Sequence, residues 1–183
     1  LDAWVTRNTE PPPSRYPTVA AGELVARDRV RFPVLSPLPF PGYVPPVFRM
    51  NLGDAYSRTR VITVEPPAVG AEYPVLVPQV DADGNDRGGI PLPEVAVPLG
   101  TFTGWNRSIP QLPGLRYLAG LIGAFEPFAR TREERERTGD PRLSIAERYA
   151  SQADYLARLR RTAADLVRQR LMLQADVDAV VAQ

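Results

Sequence analysis

The sequence contains no cysteine, no histidine and no lysine. Each absence removes a class of chemistry. Without thiols there are no disulfides and no sulfur-bound metal. Without imidazole there is no Ser-His-Asp triad, no Cys-His dyad and no histidine metal ligand. Without a side-chain amine there is no Schiff base, no Ser-Lys dyad and no lysine to reach a bound phosphate. The 22 basic side chains are all arginine, set against 21 acids. A net charge of +1 gives no bulk basic excess for nucleic acid. No apolar run reaches the ~18 residues of a membrane span. Carboxylates and tyrosines remain for acid–base work, and no reaction is legible in their spacing.

Proline is what the chain has in excess, 21 of 183 residues against a usual ~5%. Most of it lies before residue 114. Proline fixes φ and removes a donor, which predicts extended, surface-tracking chain in the first half. The apolar share of 44% is ordinary for a folded chain, and the length allows one domain with a modest core. Leu1, Trp4 and Val5 share a face at i, i+3, i+4 spacing. Arg7 and Asn8 suit a helix C-terminus, a cation on the dipole followed by a residue that tolerates positive φ. Residues 1–8 therefore read as the end of a helix, and the chain as the C-terminal part of a longer polypeptide. Residues 9–50 interleave proline with Tyr16, Val30, Phe32, Val34, Leu35, Leu38, Phe40 and Tyr43. A solvated linker would be polar, so this is read as an extended strap over an apolar surface, with a short turn and strand within 23–31. Pro-x-x-Pro spacing also occurs, but ligands of SH3 or WW domains normally sit in polar, disordered sequence.

Residues 51–107 are read as an antiparallel β element around the apolar, β-prone stretch 90–106. Residues 51–59 suggest a loop or helical turn. The β-branched run 60–64 predicts a strand. Residues 73–80 predict another, with Pro74 and Pro78 leaving one side unpaired. Asp83-Gly84 predicts a hairpin turn, and 94–103 the returning strand. In it Val95, Val97, Leu99 and Thr101 would face one way, Ala96, Pro98, Gly100 and Phe102 the other. Asp81, Asp83 and Asn85 match the first three ligand positions of a helix–loop–helix calcium loop, but Asp86 stands where glycine is needed and Leu92 where glutamate is needed. A hairpin turn carrying solvated acids is the preferred reading. Trp105 is either a buried structural residue or, with Thr103 and Asn106, a substrate-facing wall.

Residues 108–143 are read as loop and short helix. Thr131 and Glu134 form a capping-box pattern and Gly139 a C-cap. Glu133, Glu134 and Glu136 alternate with Arg130, Arg132, Arg135 and Arg137, which favours a solvated ion-pair face over a glycosidase acid pair. Residues 144–183 are read as C-terminal helices. Ser144 and Glu147 make a second capping box. Ile145, Tyr149, Leu156, Leu159, Ala163, Leu166 and Val167 form the stripe of one helix from Ser144 to about Arg170. A shorter helix follows over 173–181, giving a helical hairpin that packs on its own protein rather than on a membrane surface.

Several stretches resemble the C-terminal region of a group of bacterial α/β-hydrolase domain proteins, serine esterases or lipases. They are Ser14-Arg15-Tyr16-Pro17, the 81–85 turn with Gly89-Ile90, residues 92–99 and 103–106, Pro127-Phe128 with Thr131-Arg132, and Gly139-Asp140-Pro141-Arg142 leading into 144–149. The chain departs from the group's pattern at Pro91 and Gly100. The resemblance implies that nucleophile, acid and triad histidine lie upstream, and that residues 1–8 end a preceding core helix. It transfers no catalytic residue. The expected fold is α+β: a Pro-rich strap, a small antiparallel β element and a C-terminal helical hairpin, within a larger α/β-hydrolase-like protein. The expected role is non-catalytic: to cover the catalytic domain, as same polypeptide or processed partner chain, and shape its substrate pocket through Thr103, Trp105 and Asn106. No cofactor is expected. The alternative is a stand-alone interaction or assembly module.

Overall fold

The structure, a computed structural model, describes residues 2–36, 38–41, 46–106 and 123–182. Its helices are α1 (Asp2–Arg7), α2 (Tyr56–Thr59), α3 (Pro93–Ala96), α4 (Arg132–Thr138), α5 (Ile145–Arg148), α6 (Gln152–Arg168) and α7 (Val177–Val181). Its strands are β1 (Leu24–Ala26), β2 (Phe48–Asn51), β3 (Ala68–Glu72), β4 (Leu76–Pro78), β5 (Gly100–Thr103) and β6 (Ala124–Pro127). The fold is mixed α+β. Among the described residues the strands form three two-stranded antiparallel ribbons, β1–β4, β2–β3 and β5–β6. A buried cluster of Val97, Tyr149, Leu159 and Val181, flanked by Leu99, Ile145, Tyr155 and Leu156, joins the helices to the segment entering β5.

Local signals hold where a cap fixes a helix end. At α4 the Thr131 hydroxyl accepts from the Glu134 backbone N–H, and Gly139 closes the helix at φ 69°. Ser144 and Glu147 cap α5 reciprocally. Asn8 takes φ 53° just after α1, and its N–H donates to the Trp4 carbonyl. Leu1, Tyr43 and the greater part of the loop predicted from residue 108 lie outside the described residues.

The hairpin expectation needs correcting. The 81–85 turn is present, closed by a bridge between Val80 and Asp86. The 73–80 strand shrinks to β4, which pairs with β1 in the register Val25 to Val77. Residues 94–96 do not return as a strand. Pro93 sits at the first positions of α3, where its fixed φ and missing donor favour a helical start. Only the last part of the expected strand survives, as β5, and its backbone partner is β6. Gly100 permits that pairing, because a Cβ there would lie 2.5 Å from the Glu126 carbonyl.

Residues 60–64 form no strand either. Arg60 ends α2 in the left-handed region at φ 59°. The Thr63 N–H turns to the Leu52 carbonyl at 2.9 Å, and Val61 and Ile62 remain about half exposed. The long helix from Ser144 is in fact two. Tyr149 leaves α5 in extended conformation, and Ser151 opens α6 by accepting from the Asp154 N–H. The Ala150 N–H donates back to the Asp154 carboxylate at 3.2 Å. Ser151-x-x-Asp154 is thus a second start signal inside an apolar stripe that looked continuous.

Arg142 connects these pieces. Its side chain is 2% exposed and pairs with Asp140 at 2.6 Å. The guanidinium also donates to the Thr101 hydroxyl at 2.7 Å and to the carbonyls of Glu126 and Pro127 at 3.0 and 3.2 Å. It lies over the Phe128 ring, as does Arg148, at 5.0 and 4.1 Å. Arg148 then binds both carboxylate oxygens of Asp83, fixing the 81–85 turn to α5.

Replacing the α6 cap, Ser151→Ala, is expected to lower unfolding stability by about 1 kcal/mol. Arg142→Met, which strands Asp140, is expected to cost ~3–5 kcal/mol. Urea denaturation checks both, and equal small effects would contradict the ranking.

Candidate functional site

The acidic turn and the end of β5 carry the candidate residues. Asp81 Oδ1 accepts from the N–H groups of Asp83 and Asn85, at 2.9 and 3.0 Å. Asp83 is committed to Arg148. Asn85 is 1% exposed; its amide donates to the Gly100 carbonyl at 3.2 Å and accepts from the Phe102 N–H at 2.8 Å. This side chain therefore acts toward β5 as a neighbouring strand's peptide group would. Asp81 Oδ1, both carboxylate oxygens of Asp83 and the Asn85 Oδ1 are thus engaged by the protein's own donors. Among the described residues, no group of three or more His, Cys, Asp or Glu is placed to hold a metal ion.

Thr103, Trp105 and Asn106 come together where the β5–β6 ribbon ends. The Thr103 hydroxyl donates to the Trp105 carbonyl at 2.5 Å and accepts from the Ala124 N–H at 3.3 Å. The Asn106 amide reaches the Gly123 carbonyl at 3.3 Å. The Trp105 ring packs 5.5 Å from Phe32 and edge-on to Phe40 at 6.1 Å. The aromatic residues of the proline-rich segment thus meet the end of β5, a contact that gives the tryptophan a packing role in its own right.

A cleft of about 620 Å³ opens beside the turn, with Asp81, Asp86, Arg87, Arg148, Tyr149 and Arg158 among its walls. Burial pushes the Asp86 carboxyl above its ordinary range, and the Asp81 charge adds to this. The Tyr149 phenol is also raised, chiefly by burial; it donates to the Pro98 carbonyl at 2.7 Å. Arg158 lies 5.6 Å over the Tyr149 ring and pairs with Asp154 at 2.9 Å. Among the described residues around this cleft there is no serine or threonine. They can bind charge or exchange a proton but provide no hydroxyl nucleophile of that kind.

A serine that does contact a carboxylate, Ser144, is occupied elsewhere. Ser144 is fully buried, and its hydroxyl donates to Glu147 at 2.7 Å. Glu147 also binds Arg135 at 2.8 Å, so the pair is a helix cap held by an ion pair. The charged run of α4 behaves as its alternation implied: Arg132 pairs with Glu136 at 2.7 Å, and Glu134 accepts from the Arg130 N–H at 2.8 Å.

Sequence reasoning missed Arg142 and Arg148 as organising residues. In Gly139-Asp140-Pro141-Arg142, which carried part of the family resemblance, only Gly139 had a physical role assigned to it. The i, i+2 acid and arginine were the available signal.

A family model described as alpha/beta hydrolase domain matches residues 1–182. No curated protein and no solved structure matches the chain. No helix among the described residues is long and apolar enough to cross a membrane.

One pH dependence follows from the α5 cap. The Arg135 guanidinium, and then the N–H and hydroxyl of Ser144, hold the Glu147 carboxyl down at about 2 from an ordinary 4.5. A carboxylate favoured in the folded state contributes stability above its unfolded pKa and loses it as pH falls through the folded one. The contribution is therefore complete above about pH 4.5 and fades toward pH 2. Carboxyl ¹³C titration should place Glu147 well below the other glutamates. Arg135→Met should raise it toward the ordinary range, with the Ser144 N–H and hydroxyl still holding it below.

Proposed function

From the premise that the chain belongs to the alpha/beta hydrolase domain family, we propose that it is the non-catalytic C-terminal section of a serine esterase- or lipase-like protein. Its work is to cover an upstream catalytic domain, whether in the same polypeptide or as a processed partner chain. Ester hydrolysis then belongs to the complete protein, and the nucleophile and histidine to the portion upstream.

The observation that carries this reading is apolar surface left outside the chain's own core. Both strands of the β2–β3 ribbon are exposed along their whole length. Phe48, Met50, Val69 and Tyr73 are 39%, 48%, 65% and 45% exposed, and Val47 beside them 56%. Met50 and Val69 are cross-strand partners, so at least these two sit side by side. Trp4 and Val5 on α1 are 50% and 76% exposed. Apolar side chains gathered on a ribbon with so little cover mark a contact surface. Trp105, with Thr103 and Asn106 at the end of β5, is the part of the chain that shapes one wall of the substrate pocket.

The purified 183-residue chain is expected to hydrolyse p-nitrophenyl esters no faster than buffer. The complete protein is expected to hydrolyse them, and Phe48→Asp with Met50→Asp to weaken its activity by loosening the cover. Turnover by the chain alone would overturn the assignment. Full activity in the double variant would favour a separate interaction or assembly role for the ribbon.

A further inference from the structure

Another cleft, of about 520 Å³, takes Pro93 and Glu94 of α3 as lining where the cleft beside the acidic turn takes Val95 and Ala96, and it belongs to none of the roles above. Its volume falls within the ~300–1,000 Å³ of small-molecule sites. Leu166, Leu171, Met172 and Val180 provide aliphatic wall, and Glu94 and Arg170 are its opposite charges. The sequence explains the arrangement. Pro93 starts α3 at this point, which puts Glu94 on a helical turn packed against α6 rather than on the solvent face of a strand.

Glu94 is the unusual residue. Its Oε2 is sealed from solvent and has no hydrogen-bond partner. None of the described ion pairs includes it. Arg170, the cation beside it in the cleft lining, donates instead to the Glu10 carbonyl at 2.7 Å. Arg170 is also held in place by its backbone. The Leu171 N–H returns to the Leu166 carbonyl and the Arg170 N–H to that of Val167, at 2.9 Å each, with Arg170 at φ 61°. This is the helix-ending motif that normally takes glycine at that position. An arginine accepts the left-handed backbone here while its guanidinium donates to the first segment, and no ion pair joins it to Glu94 among the described residues.

A carboxylate oxygen buried without a donor is unfavourable, and an arriving cation offsets that penalty by Coulomb attraction even without touching the sealed atom. Asp176 also lines the cleft, so its two acids outnumber its one arginine. The kind of cation is constrained as well. A guanidinium engages a carboxylate best through both oxygens, and Oε2 is closed off. An ammonium is a compact point charge that needs only one.

We propose that this cleft binds a small lipophilic primary amine, its hydrocarbon body among Leu166, Leu171, Met172 and Val180 and its ammonium group against Glu94. The ligand is held by ion pairing and apolar burial, with no covalent step. The site is independent of ester hydrolysis and of the covering role.

The chain carries its own reporter. It has two methionines: Met172 lines the cleft, while Met50 lies on the exposed ribbon strand β2. With ¹³C-methyl methionine in the full chain, and Met172→Leu to assign the signals, n-hexylamine at pH 7 is titrated beside n-hexanol and hexanoate. Hexylamine is expected to shift the Met172 methyl saturably and leave Met50 in place. Hexanol, equal in apolar length but uncharged, is expected to bind about tenfold more weakly, and hexanoate to leave Met172 unmoved. Glu94→Gln is expected to weaken hexylamine binding by about tenfold or more. A Met172 signal that does not respond, hexanol binding as tightly as hexylamine, or undiminished binding by Glu94→Gln would each overturn the proposal. If the variant does not fold, the hexylamine-to-hexanol ratio in the unaltered chain decides.

Discussion

A guanidinium buried away from water has no neutral form to retreat to, and the centre of this structure is built to satisfy one. Arginine keeps its charge throughout the ordinary pH range. Arg142 therefore has to be met by a counter-ion and by acceptors for its other donors. Asp140 supplies the charge; Thr101, Glu126 and Pro127 supply oxygens. Those partners lie on β5, on β6 and in the turn before α5, so satisfying one side chain fixes three elements relative to one another. Burial opposes ionisation of Asp140, yet the hydrogen bonds from Arg142 leave its carboxyl below the usual range. The Phe128 ring, which both guanidiniums approach, extends the arrangement to Arg148, and Arg148 extends it to Asp83. Short strands with little ladder of their own are placed here by arginine.

That division explains what was legible beforehand. Helix ends controlled by neighbours in sequence, such as those at Thr131, Gly139 and Ser144, follow from patterns a few residues long. The expected hairpin formed only at its tip, because its evidence was local and the fate of its returning strand was not. Asp83-Gly84 does make the turn, but Pro93 diverts the returning chain into α3, and β6 takes the pairing. The β-branched run 60–64 met no partner strand, only the Leu52 carbonyl at Thr63, and β propensity without a partner strand makes no ladder. The break at Tyr149 was visible in principle, since Ser151 and Asp154 repeat the signal used seven residues earlier at Ser144.

The candidate site was legible in the same partial way. Thr103, Trp105 and Asn106 do gather at the end of β5, and the aromatic residues of the proline-rich segment meet Trp105. The acidic turn proved to be tied to α5 and β5 by Arg148 and Asn85. Those contacts span 15 to 65 residues, beyond any motif. The second cleft was hidden for a related reason. Glu94 had been assigned to a strand, and only its position on α3 brings it beside the end of α6.

The Asn85 amide has a consequence for how the protein meets other chains. A strand with an open side offers unpaired N–H and C=O groups to any extended peptide, and such sides are where sheets grow and fibrils begin. On the side of β5 away from β6, the Gly100 carbonyl and the Phe102 N–H are already taken by one buried side chain. A passing strand would have to displace that side chain to pair there. One amide does at this edge what other proteins do with a charge, a proline or a covering helix.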